Sequence, residues 1–238
     1  MTRIWVINPN TTRAMTSTIE VCARAVAAEG VDVTGVTSEF GPPSIESHFD
    51  EAMSVPGLLA AIQRGEAEGV DGYVIACFGD PGLDAARELA AGPVIGIAEA
   101  AMQTASHLGR GFSVVTTLGR TIGRAEELAE RYGMSRFCRG YHACEIPVLD
   151  LETDPMATKL VTEACREAVE RDRSDAVVLG CAGMADMCRR ISEEIGVPVV
   201  DGVTAATLAV QSLVTMGLRT GKRGEFATPP PKEYVHRR

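Results

Sequence analysis

The sequence has few features that would direct it to a membrane or to a nucleic acid. No apolar run approaches the roughly 18 residues of a membrane span. The run Ile4 to Ile7 is too short for the core of a signal peptide. Asp and Glu outnumber Lys and Arg by 32 to 23, for a net charge of -9, and no basic stripe interrupts this excess. We therefore expect a cytoplasmic protein with neither a nucleic-acid nor a membrane partner.

Motifs for metals and nucleotide cofactors are also missing. The seven cysteines include no C-x-x-C pair, and the four histidines form no H-x-x-H or H-E-x-x-H cluster. No G-x-G-x-x-G follows a predicted strand, and no G-K-S/T occurs. We predict that the protein uses no metal and no other cofactor, and that its cysteines are free thiols in a reducing compartment.

One stretch of the chain occurs twice. Asp71 to Gly79 (DGYVIACFG) and Asp175 to Gly183 (DAVVLGCAG) both begin with an acidic residue, continue as an apolar run to one cysteine and end on glycine. Such runs are typical of buried parallel strands, whose carboxyl ends carry the ligand sites of open α/β sheets. We expect Cys77 and Cys181 at two such ends. The remaining cysteines are interpreted as buried structural residues, at positions 22, 138, 144, 165 and 188.

The repetition extends past the cysteines. Pro93 to Ile95 matches Pro198 to Val200, and a pair of alanines follows each of them, at 100–101 and 205–206. A strand, a cysteine, a helix, a proline-led strand and an alanine-rich helix in the same order indicate an internal duplication.

Strands and helices alternate along the chain, which predicts an α/β fold. We expect two pseudo-symmetric lobes, each a parallel sheet of four-stranded type flanked by helices, with an active site in the cleft between them. The last helix should cross back onto the first lobe, so the lobes would be residues 1–96 with 205–238, and residues 97–204. Residues 221–238, with three successive prolines, should form a tail that either lies over a neighbour or stays mobile.

Two thiols that face one ligand can exchange protons with it. Each cysteine is expected just before a helix, where unpaired N–H groups lower the pKa of a thiol. For Cys77 this helix should open at Asp80 and Pro81. A thiolate can then take a proton from one face of a carbon acid while a thiol returns one to the other face. Backbone N–H groups near 78–79 and 182–183 could hold the enolate oxygen.

Three motifs carry a family resemblance. Asn8 to Thr11, Ile75 to Asp84 and Leu179 to Met184 together resemble the hydantoin racemases of the aspartate/glutamate/hydantoin racemase superfamily. The resemblance spans essentially the whole chain. It implies a cofactor-independent racemase of D- and L-5-monosubstituted hydantoins, with Cys77 and Cys181 as the two bases. It also implies a homo-oligomer, because family members commonly form one.

The residues around the cysteines favour a neutral ring as substrate. Amino-acid racemases of the superfamily have Asn-Thr and Thr-His after their cysteines, whereas Phe78-Gly79 and Ala182-Gly183 follow here and provide fewer partners for a free ammonium and carboxylate. We place around the polar edge of the ring Asn10, Gly79, Thr117 and Gly183. We place near the 5-substituent Phe40, Ile45 and Phe78. Thr116 and Ala182 are also expected to bind substrate. For Thr116 and Thr117, ordinary turn capping is the alternative role.

Several alternatives remain at this point. An allantoin racemase would differ only in the pocket for the 5-substituent, since allantoin is itself a 5-substituted hydantoin. Relatives that isomerise maleate or decarboxylate arylmalonates share the expected fold, but such a decarboxylase needs only one of the two cysteines. A two-lobed binding protein without catalysis would need neither cysteine. A disulfide switch between Cys77 and Cys181 is disfavoured by a reducing cytoplasm.

Overall fold

The computed structural model of the protein describes residues 1–233. The first part of the chain contains β1 (Thr2–Asn8), α1 (Arg13–Val26), β2 (Val31–Thr37), α2 (His48–Glu68), β3 (Gly72–Ile75), α3 (Leu83–Leu89) and β4 (Val94–Gly96). It continues with α4 (Ile97–Ala105), β5 (Phe112–Thr116), α5 (Ile122–Arg131), β6 (Cys138–Ala143), α6 (Ala157–Asp172), β7 (Ala176–Leu179), α7 (Cys188–Ile195), β8 (Val199–Asp201) and α8 (Gly202–Thr215). Short 3-10 helices lie at Gly119–Thr121, Val148–Leu151, Ala182–Met187 and Gly224–Phe226. Within residues 1–233, no helix is both long and apolar enough to cross a lipid bilayer.

The strands form two parallel sheets with the same strand order. The first sheet has the order β2-β1-β3-β4 and the second has the order β6-β5-β7-β8. Every neighbouring pair is parallel. All residues of β3 and β7, the two cysteine strands, are buried, as expected for strands covered on both faces. The predicted α/β fold with two four-stranded, pseudo-symmetric halves is confirmed.

Helices α4 and α8 connect the two sheets through a close mutual contact. α4 packs on β7 and β8 of the second sheet, whereas α8 packs on β3 and β4 of the first. The first residues of the two helices, Ile97 and Gly202, meet where a side chain on the glycine would not fit: a Cβ there would lie 2.3 Å from the carbonyl oxygen of Ile97. The lobe boundaries at 96/97 and 204/205 stay a prediction.

The chain at the start of the C-terminal tail packs against the end of α3 and the loop that leads into β4. The hydroxyl of Thr220 donates to the Gly92 carbonyl at 2.6 Å. The ammonium group of Lys222 donates to the carbonyls of Arg87 and Glu88 at 2.6 and 2.7 Å. These carbonyls lie at the end of α3, where helical residues lack intrahelical partners, so Lys222 satisfies them. The predicted tail also includes residues 234–238, which lie outside the described part of the chain.

The contact between α4 and α8 leads to a stability prediction. Gly202→Ala should lower the free energy of unfolding by about 1–3 kcal/mol, because the added methyl group has to displace the backbone of Ile97. Urea unfolding followed by circular dichroism measures this change. Gly123→Ala is the matched control, since a Cβ at this position in α5 meets nothing within 4 Å. Equal midpoints for the two variants would contradict the prediction.

Candidate active site

A cavity of about 170 Å³ opens at the carboxyl ends of both cysteine strands, between the two sheets. Pockets for drug-sized ligands span roughly 300–1,000 Å³, so this cavity suits a smaller molecule. The first half of the chain lines it with Asn10, Met15, Ile45, Glu46, Ser47, His48, Glu51, Ala76, Cys77, Phe78 and Gly79. The second half lines it with Thr116, Thr117, Arg120, Thr121, Arg124, Ala125, Val148, Gly180, Cys181 and Ala182.

The two cysteines occupy equivalent positions around this cavity. Cys77 lies two residues after the end of β3, and Cys181 lies two residues after the end of β7. Both are free thiols and partly buried. Each sulfur lies on the side of the following glycine where a side chain would project: a Cβ on Gly79 would lie 3.8 Å from the sulfur of Cys77, and one on Gly183 would lie 3.7 Å from that of Cys181. The duplicated sequence therefore builds the same local arrangement twice.

The pKa values of these thiols are raised, contrary to the prediction. Burial raises the pKa of Cys77 and of Cys181 to about 12 in each case. Hydrogen bonds from the backbones of Gly79 and Gly183 oppose this effect without overcoming it. The predicted helix dipole is weak at both sites. A turn separates Cys77 from α3, and the 3-10 helix Ala182–Met187 separates Cys181 from α7.

The predicted helix start at Asp80 and Pro81 is also wrong. α3 begins at Leu83, and its N-cap is Gly82 with a φ of 63°. Asp80 has a φ of 44°, a left-handed conformation that interrupts any helix at this point. Its carboxylate caps α4 instead of α3, accepting the backbone N–H groups of Ala98 and Glu99.

Seven of the residues predicted to bind substrate line the cavity, namely Asn10, Ile45, Phe78, Gly79, Thr116, Thr117 and Ala182. Gly183 is the next residue in the chain, and a Cβ on it would lie 3.7 Å from the Cys181 sulfur. The side-chain oxygen of Asn10 accepts from Asn8 at 2.8 Å and from the backbone of Thr12 at 2.9 Å, which orders the loop after β1. Thr116 uses its hydroxyl within the protein, 2.9 Å from that of Thr121. A direct role in binding stays a prediction for each of these residues.

Phe40 does not line the cavity, so the prediction that it lies near the substituent needs correction. Its side chain is 55% exposed and borders a separate shallow depression with Pro56 and Arg64. The chain turns directly after β2, where the hydroxyl of Ser38 donates to the Phe40 carbonyl at 2.6 Å. This turn places Phe40 on the outside of α2, away from the thiols.

The cavity also contains charged residues that the sequence analysis missed. Arg124 of α5 pairs with Glu51 of α2 at 2.7 Å and donates to the Gly79 carbonyl at 2.8 Å. Burial raises the pKa of Glu51, while the neighbouring Arg124 lowers it. Arg120 lies in the 3-10 helix after β5 and Arg124 lies in the first turn of α5. Their position just after the carboxyl end of a predicted strand was the available signal for both.

Within residues 1–233, no three His, Cys, Asp or Glu side chains come together as a possible metal site.

Comparison with known proteins identifies the family. Residues 4–210 match the family described as Asp/Glu/Hydantoin racemase. A hydantoin racemase from Rhizobium meliloti is 48% identical over 95% of this chain and 94% of its own. Another, from Pseudomonas sp., is 45% identical over 98% of this chain and 94% of its own. The structure of an allantoin racemase from Klebsiella pneumoniae, 51% identical, has a TM-score of 0.97 and covers 99% of this chain and 97% of that one.

The matched fold and the matched sequences define an isomerase of the racemase class. The chain belongs to the Asp/Glu/hydantoin racemase family, which confirms the resemblance noted in its sequence.

The raised thiol pKa values predict how Cys77 and Cys181 react with iodoacetamide. Only the thiolate reacts, and its fraction increases about tenfold per pH unit below the pKa, so both alkylation rates should rise steeply between about pH 7 and pH 9. Peptide mass spectrometry follows each site separately. Cys165 is the internal control, because it is fully buried and should stay unmodified in the folded protein. A rate that is already constant at pH 7 would show that the thiol pKa values are lowered.

Proposed function

We propose that the protein interconverts the D and L forms of 5-monosubstituted hydantoins by a cofactor-independent, two-base reaction at C5. The observation that supports this most is the pairing of Cys77 and Cys181 at equivalent strand ends, on one cavity of small volume. Neither a single-base reaction nor simple binding requires two such thiols. The proposed enzyme acts on a small molecule and functions as a cytoplasmic homo-oligomer. This last part rests on composition and on the family alone.

In the proposed reaction the two cysteines exchange roles. The thiolate of one takes the C5 proton, the C5–H bond breaks, and its electron pair moves into the adjacent carbonyl to form an enolate. The thiol of the other donates its proton to the opposite face of C5, and the electron pair returns to form the new C–H bond. The product is the opposite enantiomer, and the first cysteine is now the thiol. The same site in this second state catalyses the reverse reaction.

Burial raises the free energy of the thiolate, and this affects how the two cysteines act in the proposed reaction. The raised pKa of both thiols keeps the protonated form dominant at neutral pH. A thiolate that does form in this environment is a stronger base than an exposed one, because its proton affinity is higher. The hydantoin C5 proton is flanked by a carbonyl and is more acidic than the α-proton of an amino-acid zwitterion. A thiolate therefore removes it more easily. Backbone N–H groups near Gly79 and Gly183 provide donors for the developing negative charge.

The walls of the cavity support a ring with a variable substituent. Apolar surface comes from both halves of the chain, from Met15, Ile45, Phe78, Ala125 and Val148. Flat apolar walls pack against a ring, and the polar loop at Asn10 supplies an amide beside it.

A second candidate, racemisation of allantoin, is favoured by the charged residues of the cavity. Allantoin carries a ureido group at C5, which both donates and accepts hydrogen bonds. Glu46 and Glu51 could accept from its N–H groups, and Arg120 could donate to its carbonyl, since all three line the cavity. The likeness to the Klebsiella pneumoniae allantoin racemase, at 51% identity, supports the same candidate.

Proton exchange at C5 in D2O tests the reaction and both substrates. Single enantiomers of 5-benzylhydantoin and of allantoin are followed by NMR and polarimetry, with wild type, Cys77→Ser and Cys181→Ser. Each variant should lose racemisation by about 10²–10⁴-fold, because loss of a positioned base removes that much rate. Each should retain exchange for one enantiomer only, and the two variants should retain opposite enantiomers. Cys22→Ser is the control and should racemise like wild type.

The outcomes separate the candidates. A wild type that neither exchanges nor inverts either ring would refute the racemase proposal for both substrates and favour the binding-protein alternative. If both rings react, the ratio of their kcat/KM values identifies the preferred one. Arg120→Ala should then lower kcat/KM for allantoin and leave that for 5-benzylhydantoin unchanged, if the ureido group is what the charged residues recognise.

A further inference from the structure

Asp80 is a buried carboxylate that lies three residues after Cys77 and does not line the cavity. Only 3% of its surface is exposed. Its oxygens accept three hydrogen bonds, two from the backbone at the start of α4, at 3.1 and 3.0 Å, and one from the hydroxyl of Tyr132 at 2.7 Å. Its own N–H donates to the carbonyl of Cys77 at 2.9 Å. The turn that carries Cys77 is therefore closed on itself and fastened to α4 and to Tyr132 by one side chain.

This fastening exists at only one of the two cysteine turns. α8 is capped by its own preceding residue, Asp201, whose carboxylate accepts from the backbone of Thr204 at 2.9 Å. The residue at the same place before α4 is Gly96. A Cβ on Gly96 would lie 2.2 to 2.4 Å from the carboxyl atoms of Asp80, so Asp80 occupies the space that a side chain at this position would need. Met184, which lies three residues after Cys181, has no carboxylate to offer.

Helix α5, whose C-cap residue is Tyr132, makes a second contact with the turn that carries Cys77. Arg124 donates two hydrogen bonds to the carbonyl of Gly79, at 3.2 and 2.8 Å. Tyr132, which binds Asp80, is the C-cap residue of the helix that carries Arg124. α5 belongs to the second half of the chain, whereas the turn belongs to the first. The position of Cys77 is thus fixed from across the cavity.

We propose that Asp80 is a positioning residue for Cys77, which holds the thiol and the Gly79 amide in place by tying their turn to the start of α4 and to Tyr132. Asp80 does not touch the reacting atoms and is not a catalytic residue. The proposal rests on the proposed function, in which Cys77 is one of two bases. Its consequence is an asymmetry: loss of Asp80 should impair proton transfer at the face served by Cys77 and spare the face served by Cys181.

The pKa of Asp80 is subject to opposing effects, which agrees with a carboxylate that depends on its hydrogen bonds. Burial raises the pKa of this carboxyl to about 7, and the hydrogen bonds from Tyr132, Ala98 and Glu99 oppose that rise. The neighbouring Glu99 carboxylate raises it further, although Glu99 is paired with Arg87 at 2.6 Å. The three donors thus favour the ionised form of this carboxyl, which is the form that accepts from all of them. Asparagine offers a single acceptor oxygen, so it cannot satisfy all three of them.

The test measures C5 exchange for each enantiomer of the active ring separately, in Asp80→Asn and in wild type. Cys77→Ser identifies the enantiomer whose exchange depends on Cys77. Exchange of that enantiomer should fall by about ten- to a hundredfold in Asp80→Asn, because a displacement of about 1 Å costs this much rate. Exchange of the other enantiomer should stay close to the wild-type rate. Asp201→Asn is the matched control, since it makes the same substitution at the N-cap of α8, where the amide oxygen of Asn can still accept from Thr204, and it should affect both enantiomers little.

Two further variants keep the test valid if Asp80→Asn does not fold. Tyr132→Phe deletes one of the three hydrogen bonds, and Gly96→Ala pushes on the carboxylate without replacing it. Both should show a smaller loss with the same preference for the Cys77-dependent enantiomer. Equal losses for the two enantiomers, or no loss in any variant, would overturn the proposal.

A wild type that racemises neither ring would remove the proposed function but would leave the positioning role testable. In that case the ratio of the alkylation rates of Cys77 and Cys181 is compared between wild type and Asp80→Asn. A positioning role predicts a changed rate at Cys77 alone. An unchanged ratio would refute it.

Discussion

The position of both thiols depends on the contact between α4 and α8. Parallel sheets bind ligands at their carboxyl ends, so one sheet can present one cysteine to a ligand from one side only. Two sheets can present two thiols to the same ligand only if their carboxyl ends face a shared cavity. α4 lies on the second sheet, α8 lies on the first, and the two helices meet where Gly202 leaves no space for a side chain beside Ile97. The absence of a side chain at Gly202 thus allows the two helices to approach this closely.

The cavity between the sheets imposes opposing demands on its cysteines. Burial raises the proton affinity of a thiolate and so makes it a stronger base, but it also disfavours formation of the thiolate, as the raised pKa values of Cys77 and Cys181 indicate. The backbone of the glycine two residues after each cysteine provides a hydrogen bond that offsets part of this cost. The same backbone hydrogen bond is therefore available to the cysteine at both sites.

Much of this arrangement could be predicted from the sequence because it is encoded locally. A buried parallel strand reads as a continuous apolar run, and a cysteine at the end of that run lies at the sheet edge where ligands bind. Because the stretch is duplicated, the position of the second cysteine could be predicted from that of the first. Seven predicted binding residues follow strands or loops at this edge and do line the cavity, such as Asn10 and Thr117.

The parts that could not be predicted are decided by contacts between distant segments. The thiol pKa values follow from burial by both halves of the chain, which no single motif reveals. Phe40 faces outward because of a turn after β2, although its apolar character suggested a binding role. Asp80 resembles a cap for the helix that follows it, yet its partners lie 18 and 52 residues further on, in α4 and at Tyr132.

The two halves of the molecule are similar in their strands and different in how their cysteine turns are held. Racemisation has an equilibrium constant of one, so the proposed two-base reaction needs proton transfer on both faces, but it does not need the two cysteines to be supported in the same way. Here the Cys181 turn continues directly into a 3-10 helix, which orders it by backbone geometry. The Cys77 turn lacks such a helix and has Asp80 in a left-handed conformation instead, tied to α4 and Tyr132. Two different local solutions thus deliver thiols with similarly raised pKa values, because burial in the shared cavity dominates both.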